Sequence, residues 1–466
     1  MNKREVKSTK IVNAYVFFFI TYLLLTRFPT FMSIIGEMLN KIISGVFIFG
    51  GLLLCIERII ENRIQLKNKY VICLGIWWII TAISTVLNMK YGYIDNVKML
   101  IWMLIQIFIC FSFEEYKKNE FTFAINSISA SIISLMTLGS IISIVQFLLG
   151  VTYQVQIGNS YRWQGFYNQR LYGVFEDPNY AALLAIVALS LSVYYILKTK
   201  KRWIKGTNII SIVCNTLYII LSNSRTGIIC LLICAVIIGY YKGLKKYRST
   251  DKLAKAIGTF VVSCLLMLAI LFTAEKTLGY LPNAIGNIAS SEKTEIAQDN
   301  ENENEIGEDN TNVLERNDYE QDFSNNRLDI WKASAKLAND KYMFGLSPRN
   351  ISTYANANEP NGYIALTGYE THCGFLSVYV CTGVMGTIII GLFLILCFKR
   401  VINMFMHEKI NIFHIVMLMI LASYFIFTIT LQNVFYMNNA STVIFWRLLG
   451  MFVFSENIKE KAEIEL

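Results

Sequence analysis

Stretches of about 20 apolar residues, long enough to cross a bilayer as helices, recur along this chain and limit its folds more than any other feature. Only 16% of the residues are charged, against roughly 25% in an average soluble domain. The runs are continuous and do not alternate with polar residues, which favours helices over a β-barrel. The sequence therefore predicts an all-α polytopic membrane protein.

The pattern predicts about twelve transmembrane helices, separated late in the chain by one long polar segment. Residues 1–273 would form a nine-helix membrane region, 274–371 a large extracytoplasmic loop, and 372–466 a three-helix membrane region with a cytoplasmic C-terminus. The approximate spans are 11–26, 42–56, 70–87, 97–113, 122–149, 179–197, 207–222, 226–241, 256–273, 373–398, 411–431 and 440–456.

Lys and Arg concentrate in alternate connecting segments, beginning with residues 1–10. By the positive-inside rule these segments face the cytoplasm, so both termini are expected there, in a multi-pass protein of the plasma (inner) membrane. The net charge of +9 then reflects the Lys and Arg residues of the cytoplasmic segments. Because no basic face interleaves with aromatic residues, a nucleic-acid partner is not expected.

The long loop contains an acidic insertion at 291–322 that is almost without apolar residues. Such a composition buries too little surface to fold, so disorder is expected. Apolar residues in a helical rhythm resume at 327–340, among them Leu328 and Trp331. This helix would lie at the outer interface, with Trp331 as an anchor.

A second external loop, at 150–178, is rich in aromatic residues, including Trp163. Rings interleaved with Gln, Asn and Arg suit a sugar-lined cleft, and aromatic residues are also common at any membrane interface. Asp177 and Pro178 then open a span, where Asp177 is expected to cap the helix and Asn179 follows in its first turn.

Three arginines stand beside spans on the side predicted to face outward: Arg170, Arg225 and Arg327. Arg225 lies between two spans, where an arginine close to hydrocarbon needs an anionic partner or water. The alternative is a side chain that reaches back to the surface. A planar guanidinium matches phosphate oxygens, so these arginines are candidates for binding a lipid-linked phosphate.

His372 stands at the outer mouth of a span, two residues after Glu370. A carboxylate can orient an imidazole or raise its basicity, which makes this pair a candidate for acid/base work, although a lone histidine is more often structural. No Cys/His spacing typical of a metal site occurs. Arg447 lies inside the last span, where a lipid phosphate, a carboxylate or backbone carbonyls are alternative partners.

Four motifs follow one another between about 165 and 390. They are Arg170, Gly173, Phe175, Pro178 and Asn179; Ser224 to Gly227; Arg327 and Trp331 followed by Phe-Gly-Leu-Ser-Pro; and His372 followed by Gly383 and Gly386. In this order they resemble the motifs of the O-antigen ligase and polysaccharide polymerase superfamily. One departure is Cys373, where members of the family usually have Asn after the histidine.

The resemblance implies a GT-C-like fold and inverting, metal-independent glycosyl transfer from undecaprenyl diphosphate, with no cofactor. It implies that Arg170, Arg225 and Arg327 bind the diphosphate, and that His372 with Glu370 activates or orients the acceptor. The specific hypothesis is an O-antigen, capsular or exopolysaccharide polymerase. Its partners would be lipid-linked donor and acceptor glycans and the lipid bilayer, with chain-length regulators and flippases as further candidates.

Three other functions are alternatives at this point, one of them a sensor or scaffold whose acidic insertion binds partners. A ligase of the same family would move finished glycan to another acceptor. A flippase for lipid-linked oligosaccharide would place charges along a path at the bilayer midplane and usually shows two similar halves, whereas here the polar residues gather at the outer end apart from Arg447.

Overall fold

The computed structural model describes residues 3–61, 67–112, 118–250, 252–278, 280, 326–407, 410–431 and 434–455. The acidic insertion at 291–322, with its expected disorder, lies outside them. In chain order the helices are α1 (Lys3–Leu25), α2 (Pro29–Ile60), α3 (Lys69–Leu87), α4 (Ile94–Ile105), α5 (Lys118–Leu148), α6 (Pro178–Lys198), α7 (Arg202–Leu221), α8 (Arg225–Thr250), α9 (Leu253–Leu278), α10 (Arg327–Asn339), α11 (Ile351–Asn358), α12 (Tyr363–Thr367), α13 (Gly374–His407), α14 (Ile412–Thr430) and α15 (Ala440–Phe454).

The predicted helical membrane architecture is confirmed in its main features. Among the described residues, nine helices are long and apolar enough to cross a membrane. Three shorter apolar helices, at Thr9–Leu25, Leu253–Leu266 and Ala440–Phe454, coincide with other predicted spans. The count of twelve spans and the GT-C-like fold stay predictions.

The chain divides into two compact units. The first contains Met1–Thr26, Glu37–Ile132 and Asp322–Leu466, and the second contains Arg27–Gly36 and Ile133–Gln321, each within the described residues. Helix α2 changes direction at Gly36, whose φ of 71° lies outside the helical region.

The aromatic segment expected to be a loop is a three-stranded antiparallel sheet in the second unit. Its strands are β1 (Thr152–Ile157), β2 (Ser160–Tyr167) and β3 (Arg170–Gly173), in the order β1-β2-β3. The turn between β2 and β3 has positive φ at Asn168 and Gln169, as a two-residue hairpin turn requires. The hydrophobic pattern did not predict this sheet, because both of its faces carry polar residues and neither is wholly apolar.

The core of the first unit is a cluster of aromatic rings. The indole nitrogen of Trp77 donates to the Tyr436 hydroxyl at 2.8 Å, and that hydroxyl lies 2.9 Å from the Thr382 hydroxyl. Rings at Phe111, Phe393 and Trp446 lie around them. Each buried polar group here has a partner, as a low-dielectric interior demands.

Helix α13 is interrupted at Gly383, where φ is 62° and ψ is −161°. The turn at 342–347, which follows α10, fills the interruption with its own backbone. Buried backbone groups cost free energy unless they are paired, and this contact pairs them. Four hydrogen bonds join the two segments: Leu346 N to Val380 O at 2.8 Å, Ser347 N to Cys381 O at 3.0 Å, Val384 N to Tyr342 O at 2.8 Å and Met385 N to Met343 O at 3.3 Å.

Two glycines allow this contact. A Cβ atom at Gly383 would lie 2.4 Å from the Met343 carbonyl carbon, and one at Gly345 would lie 2.5 Å from the Cys381 carbonyl carbon. Both glycines have positive φ, which side chains also disfavour. Two sequence motifs, the glycine at 383 and the Phe-Gly-Leu-Ser-Pro turn, therefore meet in one backbone junction of the first unit.

Arg447 is buried at the middle of α15 and belongs to a packing contact. Its guanidinium donates to the Asn13 side-chain oxygen and, at 3.4 Å, to the Ile109 carbonyl. Ile109 lies in a π-helical segment, Gln106–Phe111, that continues α4. Gly450 lets α15 approach this segment, since a Cβ there would lie 2.1 Å from the Phe111 carbonyl oxygen. Of the alternative partners for Arg447, these contacts favour backbone carbonyls, joined by an amide that the sequence did not suggest.

We expect the substitution Gly383→Ala to destabilise the fold by roughly 1–3 kcal/mol through the positive φ alone, with the clash adding to it. The measurement is the thermal midpoint of purified protein in detergent, together with the folded yield. Gly391→Ala is the matched control, because a Cβ there meets nothing within 4 Å. Equal midpoints for both variants would contradict the role given to the junction.

We expect Arg447→Leu to lower stability by roughly 2 kcal/mol, because it leaves the buried Asn13 amide and Ile109 carbonyl without a charged donor. The double variant Arg447→Leu, Asn13→Leu should recover part of the loss. Arg248→Leu, at an exposed position of α8, should change the thermal midpoint little. A normal midpoint for Arg447→Leu with lost activity would make Arg447 a substrate residue.

Candidate functional site

Arg170 begins β3 and is fixed by two neutral acceptors in the second unit. Its Nε donates to the Ser222 carbonyl at 3.1 Å, and an Nη donates to the Asn179 side-chain oxygen at 2.8 Å. The Ser224 hydroxyl donates to the same Asn179 oxygen at 3.0 Å. Two separate motifs of the sequence, the one from Arg170 to Asn179 and the one at 224–227, thus meet at one amide.

The local sequence explains why these side chains converge. Asp177 caps α6 as predicted, accepting from the backbone N–H groups of Asn179 and Tyr180 at 2.8 and 2.9 Å. That cap fixes Asn179 in the first helical turn. At the other end of β3, Gly173 has a φ of 62° and leaves room for the Ser143 hydroxyl, which accepts from the Val174 N–H at 3.0 Å.

Arg225 is the first residue of α8, directly after the turn that carries Ser222 and Ser224. The turn is tight because Asn223 takes a φ of 50°, and its amide donates to the Gln169 carbonyl at 3.1 Å. Arg225 is half-buried. The start of a helix carries partial positive charge, so the Arg225 side chain and the N-terminus of α8 both attract anions.

An ion-pair cluster that sequence reasoning missed lies at the start of α6. Glu176 accepts from Arg27 at 3.1 Å and from Arg162 at 3.5 Å, and its own N–H donates to the Arg27 carbonyl at 3.0 Å. Arg27 follows the first span directly, which was the available signal. A small pocket here is lined by Arg27, Phe175, Glu176, Asp177, Tyr180, Ala181 and Leu184.

In the first unit, three buried asparagines hold the segment before α11. Asn96 donates to the Asn350 side-chain oxygen at 3.0 Å, and Asn350 donates to the Asn88 carbonyl at 3.0 Å. Asn96 also accepts the Arg349 N–H at 2.9 Å. These bonds fix the backbone of Arg349, whose side chain stays exposed.

Glu370 is half-buried between α12 and α13. Burial raises the pKa of its carboxyl above the ordinary value, and the positive charge of Arg349 opposes the rise. A carboxyl with a raised pKa is better suited to accept a proton near neutral pH than an ordinary one. Arg349 was not singled out from the sequence, because its position in a turn gave no sign of this partner.

His372 is half-buried and takes a φ of 41°, unusual for a residue other than glycine. Its ring lies edge-on to the Tyr369 ring, with centroids 5.5 Å apart. Between His372 and Glu370, the buried Thr371 hydroxyl is hydrogen-bonded to Ser377 of α13. The segment that carries both candidate acid/base residues is thereby tied to the first turn of α13.

Arg327 begins α10, as the helical pattern predicted, and Trp331 follows one turn later. The helix packs against α13 and α12, burying Ile330 and Leu337. Leu328, expected on the apolar face, is 52% exposed, because the buried stripe runs through Ser334 instead. Both Arg327 and Trp331 are half-buried, and their roles stay predictions.

The candidate residues fall into both units. Arg170, Asn179 and Asp177 form one cluster in the second unit, together with Arg225 at the adjoining turn, and Trp163 lies on β2. Glu370, His372, Arg327 and Trp331 belong to the first unit, where Arg447 serves packing. In the part of the chain that the structure describes, no group of three or more His, Cys, Asp or Glu side chains is placed to hold a metal ion.

Comparison with known proteins agrees with the motifs. Residues 210–391 match the family model described as O-antigen ligase, and this range contains Arg225, Arg327, Glu370 and His372. No curated protein matches the chain. With its apolar helices the chain is a multi-pass membrane protein, and the match over residues 210–391 supports a relationship of this region to the O-antigen ligase and polysaccharide polymerase superfamily.

Proposed function

We propose that this protein is a polysaccharide polymerase. It transfers a growing glycan from undecaprenyl diphosphate to the terminal sugar of a lipid-linked repeat unit, at the outer face of the plasma membrane. The acceptor oxygen attacks the anomeric carbon of the donor, the bond from that carbon to the diphosphate breaks, and the diphosphate leaves with the electron pair. Inversion at the anomeric carbon follows from this single displacement, and the diphosphate bond supplies the energy.

The observation that carries the proposal is the arrangement around Arg170. Two of its hydrogen-bond acceptors, Asn179 and the Ser222 carbonyl, are neutral, and they fix the direction of the guanidinium. Arg225 follows at the start of α8. Preoriented cations stabilise negative charge as it grows on a leaving group, which is the chief demand of this reaction. We assign diphosphate binding to Arg170 and Arg225, and the same role to Arg327.

The acceptor hydroxyl must lose a proton as it attacks. We propose that the Glu370 carboxylate, whose pKa is raised by burial, accepts this proton, and that His372 orients the hydroxyl or shares the proton. The positive-inside pattern of the sequence supports an outer location for this chemistry.

The first experiment is to measure the size of the surface polysaccharide in a deletion strain. We expect long chains to disappear, while single repeat units remain lipid-linked and reach the outer face. Long lipid-linked chains that fail to reach their final acceptor would instead show a ligase. Repeat units that stay on the cytoplasmic side would show a flippase, and unchanged glycan would overturn all three functions.

We expect Arg170→Lys to abolish most of the activity, nearly as fully as Arg170→Ala. An ammonium is a point charge and does not reproduce the two directed bonds from Nε and Nη. The measurement is polymer length in cells complemented with each variant, at equal protein level. Arg202→Ala, at an exposed position in the same unit, is the control. Full-length polymer with Arg170→Ala would remove this arginine from the mechanism.

The charge of Arg349 should set the acid side of the pH profile. Arg349 lowers the pKa of Glu370 against the effect of burial, so Arg349→Gln should raise that pKa further. If the carboxylate accepts the proton, activity falls as pH drops through this pKa, and the acid limb of kcat/KM moves to higher pH.

Arg349→Lys keeps the positive charge and should keep the wild-type profile. The measurement uses purified protein with lipid-linked repeat units across the pH range. The assignment of Glu370 as proton acceptor would be wrong if the acid limb did not move in Arg349→Gln. It would also be wrong if Glu370→Gln kept the full rate and the same acid limb.

A further inference from the structure

One face of the three-stranded sheet carries rings and amides together. In the ladder Tyr161 pairs with Gln156 and Trp163 pairs with Gln154, and directly paired residues share a face. The ring of Tyr167 stacks on that of Trp163, with centroids 3.8 Å apart and planes 9° from parallel, so Tyr167 lies on this face as well. These five residues are the aromatic face.

The other face of the sheet is anchored to the protein. Gln164 and Leu171 are fully buried, and the Phe166 ring packs edge-on against Phe147 of α5 at 5.1 Å. A sheet held on one side presents its other side in a fixed position. The aromatic face is therefore preformed, and its rings need little ordering when a ligand binds.

The side chains of the aromatic face suit a carbohydrate better than lipid. Flat rings cover the apolar C–H faces of sugar rings, while Tyr hydroxyls and the amides of Gln154 and Gln156 serve the sugar hydroxyls. Both glutamines are exposed, and burying their amides in hydrocarbon without hydrogen-bond partners would be unfavourable. Tyr161, the most exposed of the rings at 61%, lies farthest from β3.

The aromatic face runs directly to the arginine assigned to the diphosphate. Tyr167 pairs with Arg170 across the turn from β2 to β3, and the Tyr172 ring lies 6.5 Å from that of Tyr167. From Tyr161 to Tyr167 the strand extends about 20 Å, at about 3.4 Å per residue. A glycan whose diphosphate lies at Arg170 would thus meet rings along several of its sugar residues.

We propose that the aromatic face is a binding subsite for the glycan of the lipid-linked substrate, taking several sugars of the chain next to the diphosphate. The identity of the glycan rests on the proposed function. That the ligand is a carbohydrate rests on the side chains of the sheet alone. Affinity then increases with the number of sugars until the face is covered. The subsite holds long chains more firmly than single repeat units, and this favours the growing chain as donor.

The test uses full-length protein in detergent and a phosphate-free, lipid-free probe. The probes are oligosaccharides of one, two and four repeat units, released by mild acid from the cell's own surface polysaccharide. Binding is measured by calorimetry and by the change in tryptophan fluorescence. We expect the longer probes to bind at least tenfold more tightly than the single unit, and Tyr161→Ala with Tyr167→Ala to remove that gain.

The matched control is Tyr153→Ala, on β1 of the same sheet. Tyr153 is 38% exposed, close to the 39% of Tyr167, but it pairs with the buried Gln164 on the opposite face. It should leave binding unchanged. Arg170→Ala should also keep the binding of these phosphate-free probes while polymer is lost from cells, which separates the subsite from the diphosphate site.

Several outcomes would overturn the inference. These are no binding by the wild-type protein, equal binding of all probe lengths, or equal losses in Tyr153→Ala and the double variant. If the double variant binds normally but loses thermal stability in lipid nanodiscs, the rings anchor the protein at the membrane surface instead. If length-dependent binding is found while the deletion strain makes normal glycan, the subsite stands and the polymerase function fails.

Discussion

The pairing of backbone groups at the interruption of α13 is the interaction on which the first unit depends. A helix broken at Gly383 leaves N–H and C=O groups that lipid or packed side chains cannot satisfy. The turn at 342–347 satisfies them, and the same stretch of chain leads directly to Arg349. The position of an arginine that acts on Glu370 therefore follows from a backbone contact, with the three buried asparagines holding the other side of the turn.

The arginines discussed above have three different kinds of partner. Arg447 is buried and serves packing between α1, the π-helical segment and α15. Arg27 and Arg162 share the carboxylate of Glu176. Arg170 donates to an amide oxygen and a backbone carbonyl, both neutral, which fix its direction. The last arrangement supports the proposed binding of an anionic ligand by Arg170, so the immediate acceptors of an arginine are more informative than its mere presence.

The sequence predicted the helices well, because long apolar runs have few alternatives once a membrane is the solvent. It also predicted the cap by Asp177 and the helix that begins at Arg327. The sheet was missed, since rings and amides alternate on a face that is not buried. Arg349 and Arg27 were missed for another reason. Their partners, Glu370 and Glu176, are distant in sequence, and no local pattern marks such pairs.

The direction in which Arg170 points depends on the length of the turn between β2 and β3. Successive side chains on a strand point to opposite faces, so a residue added at Asn168–Gln169 that shifts the register of β3 by one position would turn Arg170 toward the side occupied by the buried Leu171. Residues added at the other hairpin, at Gly158–Asn159, would lengthen β1 and β2 without touching β3. The Gly158–Asn159 turn can therefore vary in length, whereas the Asn168–Gln169 turn cannot. At the second turn, substitutions are tolerated more readily than insertions.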